Sequence, residues 1–93
     1  MISEFSRMIG FSVDEILGES RKQEIVAARQ LYWKVLRDAG FTFEEIASLC
    51  GMSHATVIHG VRVATERIEI ADSITMGVWN KVREIAYDYS SGF

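Results

Sequence analysis

TFEEIASLCGMSHATVIHGVR, residues 42–62, is the stretch that decides the fold. Thr42 followed by Glu45 has the form of a capping box, in which hydroxyl and carboxylate each satisfy a backbone N–H that a starting helix leaves free. Ile46, Leu49 and Cys50 then fall at i, i+3 and i+4 and give that helix a short apolar stripe. Gly51 ends it, because glycine takes the positive φ of a chain reversal without steric penalty. Two residues on, the Ser53 hydroxyl can cap a second helix whose inward side is marked by Val57, Val61, Ala64 and Ile68. Its opposite side shows His54, Ala55, His59 and Arg62. Two helices joined by a three-residue turn containing glycine have the composition of a helix-turn-helix, whose second helix reads base edges with residues near its N-terminus. The same pattern also fits a helical hairpin that binds nothing, since fold does not fix function.

Outward from this unit toward the N-terminus, residues 23–39 predict a helix of about four and a half turns. Ile25, Ala28, Tyr32, Leu36 and Ala39 share one side, Val26 and Trp33 widen the apolar sector, and so wide a stripe marks the central helix of a bundle. Its polar strip is Gln23, Gln30, Lys34 and Arg37, with Arg29 beside it, and Gly40 suits the position after its end. That strip either faces water or tracks a phosphate backbone. Residues 18–22, GESRK, form a loop with adjacent bases Arg21 and Lys22, which are either solvated or, beside the motif, able to reach a phosphate or a narrow minor groove. Two short helices precede it and read as lids on the core: one capped by Ser3, bearing Phe5, Met8 and Ile9, and ended by Gly10; one capped by Ser12, covering 13–17, and stopped at Gly18.

Toward the C-terminus the second motif helix runs to about Ile70. Asp72 and Ser73 are candidates to cap a last helix over 74–89, with Ile74, Val78, Val82, Ile85 and Tyr89 as its apolar stripe and Trp79 and Ala86 flanking. That helix either folds back on the domain or pairs two copies as a homodimer, and 90–93 fray. The expected fold class is therefore all-α, a small bundle of about five to six helices forming one domain over 1–93: lids 3–17, basic loop 18–22, long helix 23–39, helix-turn-helix 42–70 and C-terminal helix 74–89.

A chain of 93 residues is long enough to bury one core without a staple, and a single cysteine excludes an internal disulfide. On the apolar side of its helix, Cys50 is expected to be a buried small hydrophobe. No apolar run approaches the ~20 residues of a membrane span, and the N-terminus lacks the basic-then-apolar order of a secretion signal, so a cytoplasmic setting, bacterial or phage-host, is expected. The net charge of −3 argues against indiscriminate nucleic-acid binding. It is unevenly spread: residues 1–20 carry −3 and 68–93 carry −2, whereas 21–67 hold seven bases against five acids, a net of +2. Groove binding depends on where charge sits more than on the total.

The order SVDEILGESRKQEIVAARQ, FEEIASLCG, SHATVIHGVR, over about residues 8–68, resembles the C-terminal DNA-binding domain (domain IV) of the bacterial replication initiator DnaA. The most specific parts are the lid helix ending in Leu-Gly, the basic loop, the Ala-Arg-Gln of the long helix and the His-x-Thr-Val-x-His of the second motif helix. The resemblance implies an all-helical, Trp-repressor-like fold that binds short duplex sites through both grooves. It places Arg21, with Lys22 beside it, at the minor groove, Arg29 and Gln30 on the sugar-phosphate backbone, and Arg37 near a further phosphate. His54 and Thr56 match residues that touch bases and backbone, and His59 matches a second histidine one turn on. Ser53, Ala55 and Arg62 complete the expected interface.

The chain departs from the family pattern at Ser53, where an aspartate is usual, at Ala55, where Ser or Thr is usual, at Glu44 in place of a neutral residue, at Val63 in place of a base, and in a turn one residue shorter. Ala55 can still touch a thymine methyl, but Ser53 cannot accept from a cytosine amino group with carboxylate strength. The expected partner is double-stranded DNA, bound sequence-specifically by a stand-alone module that regulates replication initiation or transcription, with a phage or mobile element as one setting. The alternative is a protein-interaction module that kept the fold and lost DNA, with Trp79, Tyr87 and Tyr89 as its contact surface. No GxxxxGK[ST] loop is present, so no nucleotide is expected. His54 and His59 lie about 140° apart around a helix, which disfavours a shared metal. No nucleophile, base and orienting acid assemble from spacing, so neither cofactor nor enzymatic activity is expected.

Overall fold

The computed structural model describes residues 1–91, and side chains through residue 85. Six helices follow in order: α1 (Ile2–Ile9), α2 (Val13–Leu17), α3 (Gln23–Asp38), α4 (Phe43–Cys50), α5 (His54–Glu69) and α6 (Ser73–Ser91). The described residues form an all-α helix-turn-helix bundle, as the periodicities require.

The centre is α3. Ala28, Leu31 and Val35 are fully enclosed, and Ile25, Tyr32, Trp33 and Leu36 nearly so. Four other helices bury their apolar sides against it: Phe5 of α1, Ile16 of α2, Val57 and Ala64 of α5, and Val82 and Ile85 of α6. Phe5 meets Tyr32 edge to face at 5.2 Å between ring centroids, a geometry that adds about 1 kcal/mol to the area buried. The phenol of Tyr32 is pushed up to about 12 by this burial, with a smaller contribution from Cys50. Cys50 itself is half-buried; burial raises its thiol, against an opposing pull from Trp33. Ile46 carries α4 into the same core.

The crossing of α5 over α3 depends on a position the periodicity did not mark. Gly60 is buried there, and a Cβ on it would stand 2.4 Å from two carbons of the Trp33 ring. Only a residue without a side chain lets the two backbones approach this closely.

The last helix folds back. Val82 and Ile85 are buried on the bundle, and half-buried Trp79 carries the ammonium of Lys34 5.4 Å from its ring centroid. The expectations for Ala86, Tyr87 and Tyr89 fall on side chains outside the described residues, and residues 92–93 lie outside them altogether; the expected end at 89 is corrected, because α6 continues to Ser91. No helix among the described residues is long and apolar enough to cross a membrane.

Four further local expectations are corrected. The Ser3 side chain does not cap α1: Met1 is the cap residue, without a side-chain bond, and Phe5 N–H donates to the Met1 carbonyl at 3.0 Å, so the helix starts a residue or two earlier. The long helix ends at Asp38, with Ala39 as its cap. Leu49 is 60% exposed and leaves the expected Ile46, Leu49, Cys50 stripe; the inward side of α4 is Ile46 and Ala47 with half-buried Cys50. Lys34 leaves the polar strip; it pairs with Asp38 at 3.0 Å on the side facing α6.

Candidate nucleic-acid interface

The two motif helices are set at their starts by hydroxyl caps. Thr42 accepts from Glu45 N–H at 3.1 Å while the Glu45 carboxylate accepts from Thr42 N–H at 2.9 Å. Gly51 sits at φ 64°, where the chain turns, and the Ser53 hydroxyl accepts from Thr56 N–H at 3.1 Å. The Ser53 and Thr56 hydroxyls also bond each other at 2.7 Å, so each has part of its capacity engaged within the protein.

With the N-terminus of α5 fixed in this way, its first turn presents His54, Ala55 and Thr56 to solvent, and His59 and Arg62 are exposed further along. His54 is tied to α4: its imidazole meets the Phe43 ring edge to face at 6.1 Å and 82°. Phe43 in turn lies under the guanidinium of Arg37, 4.8 Å from its ring centroid, and Arg37 donates to the Phe41 carbonyl at 3.1 Å. Arg37, Thr42, Phe43, Glu44 and His54 together line a shallow cleft of about 360 Å³. Residues from α3, α4 and α5 thus converge at the C-terminal end of α3.

The basic loop lies at the other end of α3, with Arg21 and Lys22 exposed immediately before its first turn. Arg29 fixes that loop instead of facing solvent. It is 8% exposed, and its guanidinium donates to the carbonyls of Ile16 at 2.8 Å, Ser20 at 3.1 Å and Glu15 at 3.2 Å. Two of these carbonyls belong to the last turn of α2, which a helix end leaves without intrahelical donors. Burial lowers the pKa of Arg29, yet a guanidinium remains charged. The expectation that Arg29 meets a phosphate is therefore corrected: its donors are turned inward onto the loop and lid.

Gln30 is half-buried where α5 crosses, with Cγ 3.5 Å from the Cβ position of Gly60, and its carbonyl oxygen is enclosed without a partner among the described residues. Of the remaining expected residues, Arg21, Lys22, Arg37, Ser53, His54, Ala55, Thr56, His59 and Arg62 are all exposed. Glu44 is exposed in the cleft, and Val63 is half-buried. Sequence reasoning missed Phe43. The available signal was an aromatic at the first position of α4, three residues before the buried Ile46; it is half-buried and packs against the edge of the core. Among the described residues no three His, Cys, Asp or Glu side chains are grouped to hold a metal ion.

Comparison with known proteins identifies the architecture. The chain is 41% identical over 63 residues to the chromosomal replication initiator protein DnaA of Kosmotoga olearia, covering 67% of this chain and 14% of the relative. It is 34% identical over 67 residues to the DnaA of Pseudothermotoga lettingae, 71% of this chain and 15% of the relative. With the DnaA of Mycoplasma pneumoniae it shares 31% over 75 residues, 80% of this chain and 17% of the relative. The match therefore spans about one sixth or less of the length of these relatives. No solved structure matches. The family profile described as Bacterial dnaA protein helix-turn-helix matches residues 1–63, two thirds of the sequence, and by that match the chain belongs to the bacterial DnaA helix-turn-helix family.

Proposed function

We propose that this domain binds double-stranded DNA sequence-specifically, with the start of α5 in the major groove and Arg21 in the adjoining minor groove, in the control of replication initiation. The observation that carries the reading is the placement of exposed side chains at the two ends of α3: Arg21 and Lys22 before its first turn, and Arg37 in its last turn, joined to His54 of α5 through the Phe43 ring. A helix of 16 residues is about 24 Å long. A duplex turn of about 34 Å presents neighbouring grooves roughly half a turn apart, so the separation has the right order for one feature in each groove. His54 can donate or accept at a base edge, Ala55 can pack on a thymine methyl, and Lys22, Arg37 and Arg62 can meet phosphates.

The protein-interaction alternative drew on the last helix. Of the contact surface it named, Trp79 is half-buried and carries the Lys34 ammonium, while Tyr87 and Tyr89 fall on side chains outside the described residues.

Selection of bound duplexes from a random pool tests the proposal. A single enriched site is expected, bound more weakly by Arg21→Ala and His54→Ala; loss of one well-made base contact amounts to about 1–3 kcal/mol. Absence of enrichment, or equal binding by both variants, would contradict it.

A further inference from the structure

We infer that Phe43 is a positioning residue that sets a phosphate-binding guanidinium and a base-reading imidazole in one fixed relation; the inference rests on the duplex-binding reading above. Phe43 is the residue that both side chains touch. The Arg37 guanidinium of α3 stacks over its ring at 4.8 Å, and the His54 imidazole of α5 meets the same ring at 6.1 Å and 82°. Neither neighbour reaches the other through backbone order alone, because they stand on different helices, 17 positions apart in sequence.

A surface arginine ordinarily samples many rotamers, and a ligand that immobilises it must overcome that entropy. Arg37 is already restrained at two points, by the ring and by its bond to the Phe41 carbonyl at 3.1 Å. A guanidinium carries five N–H donors, so most remain to meet a phosphate oxygen. Among the described residues no carboxylate pairs with Arg37; the ion pair formed beside it on α3 is that of Lys34 with Asp38. The ring's face suits a cation and its geometry to His54 is edge-on, so one aromatic side chain serves two partners of different chemistry. An aliphatic residue of similar size would fill the space and hold neither orientation.

The test is a double-mutant cycle on the selected duplex, read by anisotropy across a salt series, with Phe43→Leu, Phe43→Tyr, Arg37→Ala and the Phe43→Leu/Arg37→Ala pair. Phe43→Leu should weaken binding about two- to fivefold, the range of an exposed cation–π contact. Phe43→Tyr, which keeps the ring, should bind like wild type. In the Arg37→Ala background the further loss from Phe43→Leu should shrink below twofold.

In the free proteins, the His54 ring proton resonances should move in Phe43→Leu and stay in Phe43→Tyr. Equal losses from Phe43→Leu with and without Arg37, or unmoved His54 resonances, would overturn the positioning role while leaving duplex binding intact. Failure of wild type to bind any duplex would remove the underlying reading, and this inference with it. Thermal unfolding of each variant guards the comparison: a Phe43→Leu protein that binds weakly only because it is partly unfolded would also lose binding without Arg37, the overturning outcome.

Discussion

Arg29 is the side chain whose placement departs furthest from its sequence context. It stands beside a polar helical strip and next to Gln30, a setting that points to solvent, yet it is buried on carbonyls 9, 13 and 14 residues away in the chain. No local periodicity encodes such a contact, because the acceptors are backbone groups brought in by the packing of α2. Arg29→Ala would leave three backbone acceptors, one buried and two part-buried, without their donor. Hydrogen bonds to a charged group contribute about 1.5–3 kcal/mol each and do not add fully, so a loss of about 3 kcal/mol is expected, measured by urea unfolding. Arg29→Ala should also speed amide exchange over residues 18–22, because that loop loses its anchor. Wild-type stability and exchange in the variant would contradict the clamp. Arg37 and His54, by contrast, were legible as exposed residues, since their positions follow from helix phase; the ring that joins them was not, because Phe43 belongs to a third helix.

At the scale of elements, the caps were the most legible feature. Thr42 with Glu45, and Ser12 with its helix, act over three residues and need no tertiary information. Their carboxylates carry a pH signature. Glu45 and Glu15 are lowered chiefly by the backbone N–H of Thr42 and Ser12 and then by the hydroxyls, and Asp72 by the N–H of Thr75. A pKa depressed in the folded state means that the unfolded chain binds more protons, so the stabilisation is present above the ordinary carboxylate values and is lost as pH falls through the depressed ones. The unfolding midpoint should therefore decline below about pH 4, with a shallower acid limb in Glu45→Gln; identical acid limbs would remove the capping box as a cause.

The glycines give a second test at this scale. Gly51 at φ 64° has open space around its Cβ position, so Gly51→Ala costs only the left-handed backbone, about 1–2 kcal/mol. Gly60→Ala gains roughly 1 kcal/mol of helix propensity but forces a methyl against the rigid Trp33 ring at 2.4 Å, and overpacking of about 1–3 kcal/mol outweighs it. A midpoint lowered in both variants is expected, together with altered Trp fluorescence in Gly60→Ala alone. A stabilised Gly60→Ala would show that α5 does not depend on this close approach. Sequence pattern hid Gly60 because a residue without a side chain leaves no apolar mark on a helical stripe.

Over the whole molecule, an acidic protein of net charge −3 can bind a polyanion only if its exposed cations are gathered where the duplex lies. The fold separates them by role: Arg29 is turned inward and Lys34 is paired beside α6, while Arg21, Lys22, Arg37 and Arg62 remain exposed. The all-α class, the order of helices and the helix-turn-helix were readable because amphipathic periods and caps are local. The outward turn of Leu49, the side that Lys34 faces and the anchoring of the basic loop were not, because each is decided by which helix packs opposite.

The most direct measurement is the salt dependence of affinity for the selected duplex, compared between wild type and Arg21→Ala. Four cations on the duplex, Arg21 in the minor groove and Lys22, Arg37 and Arg62 at phosphates, would give a slope of about −3.6 in log affinity against log salt, and removing one should make it shallower by about 1. Binding that weakens with salt in wild type and less steeply in Arg21→Ala is the predicted result; affinity indifferent to salt, or an unchanged slope without Arg21, would contradict the two-groove account.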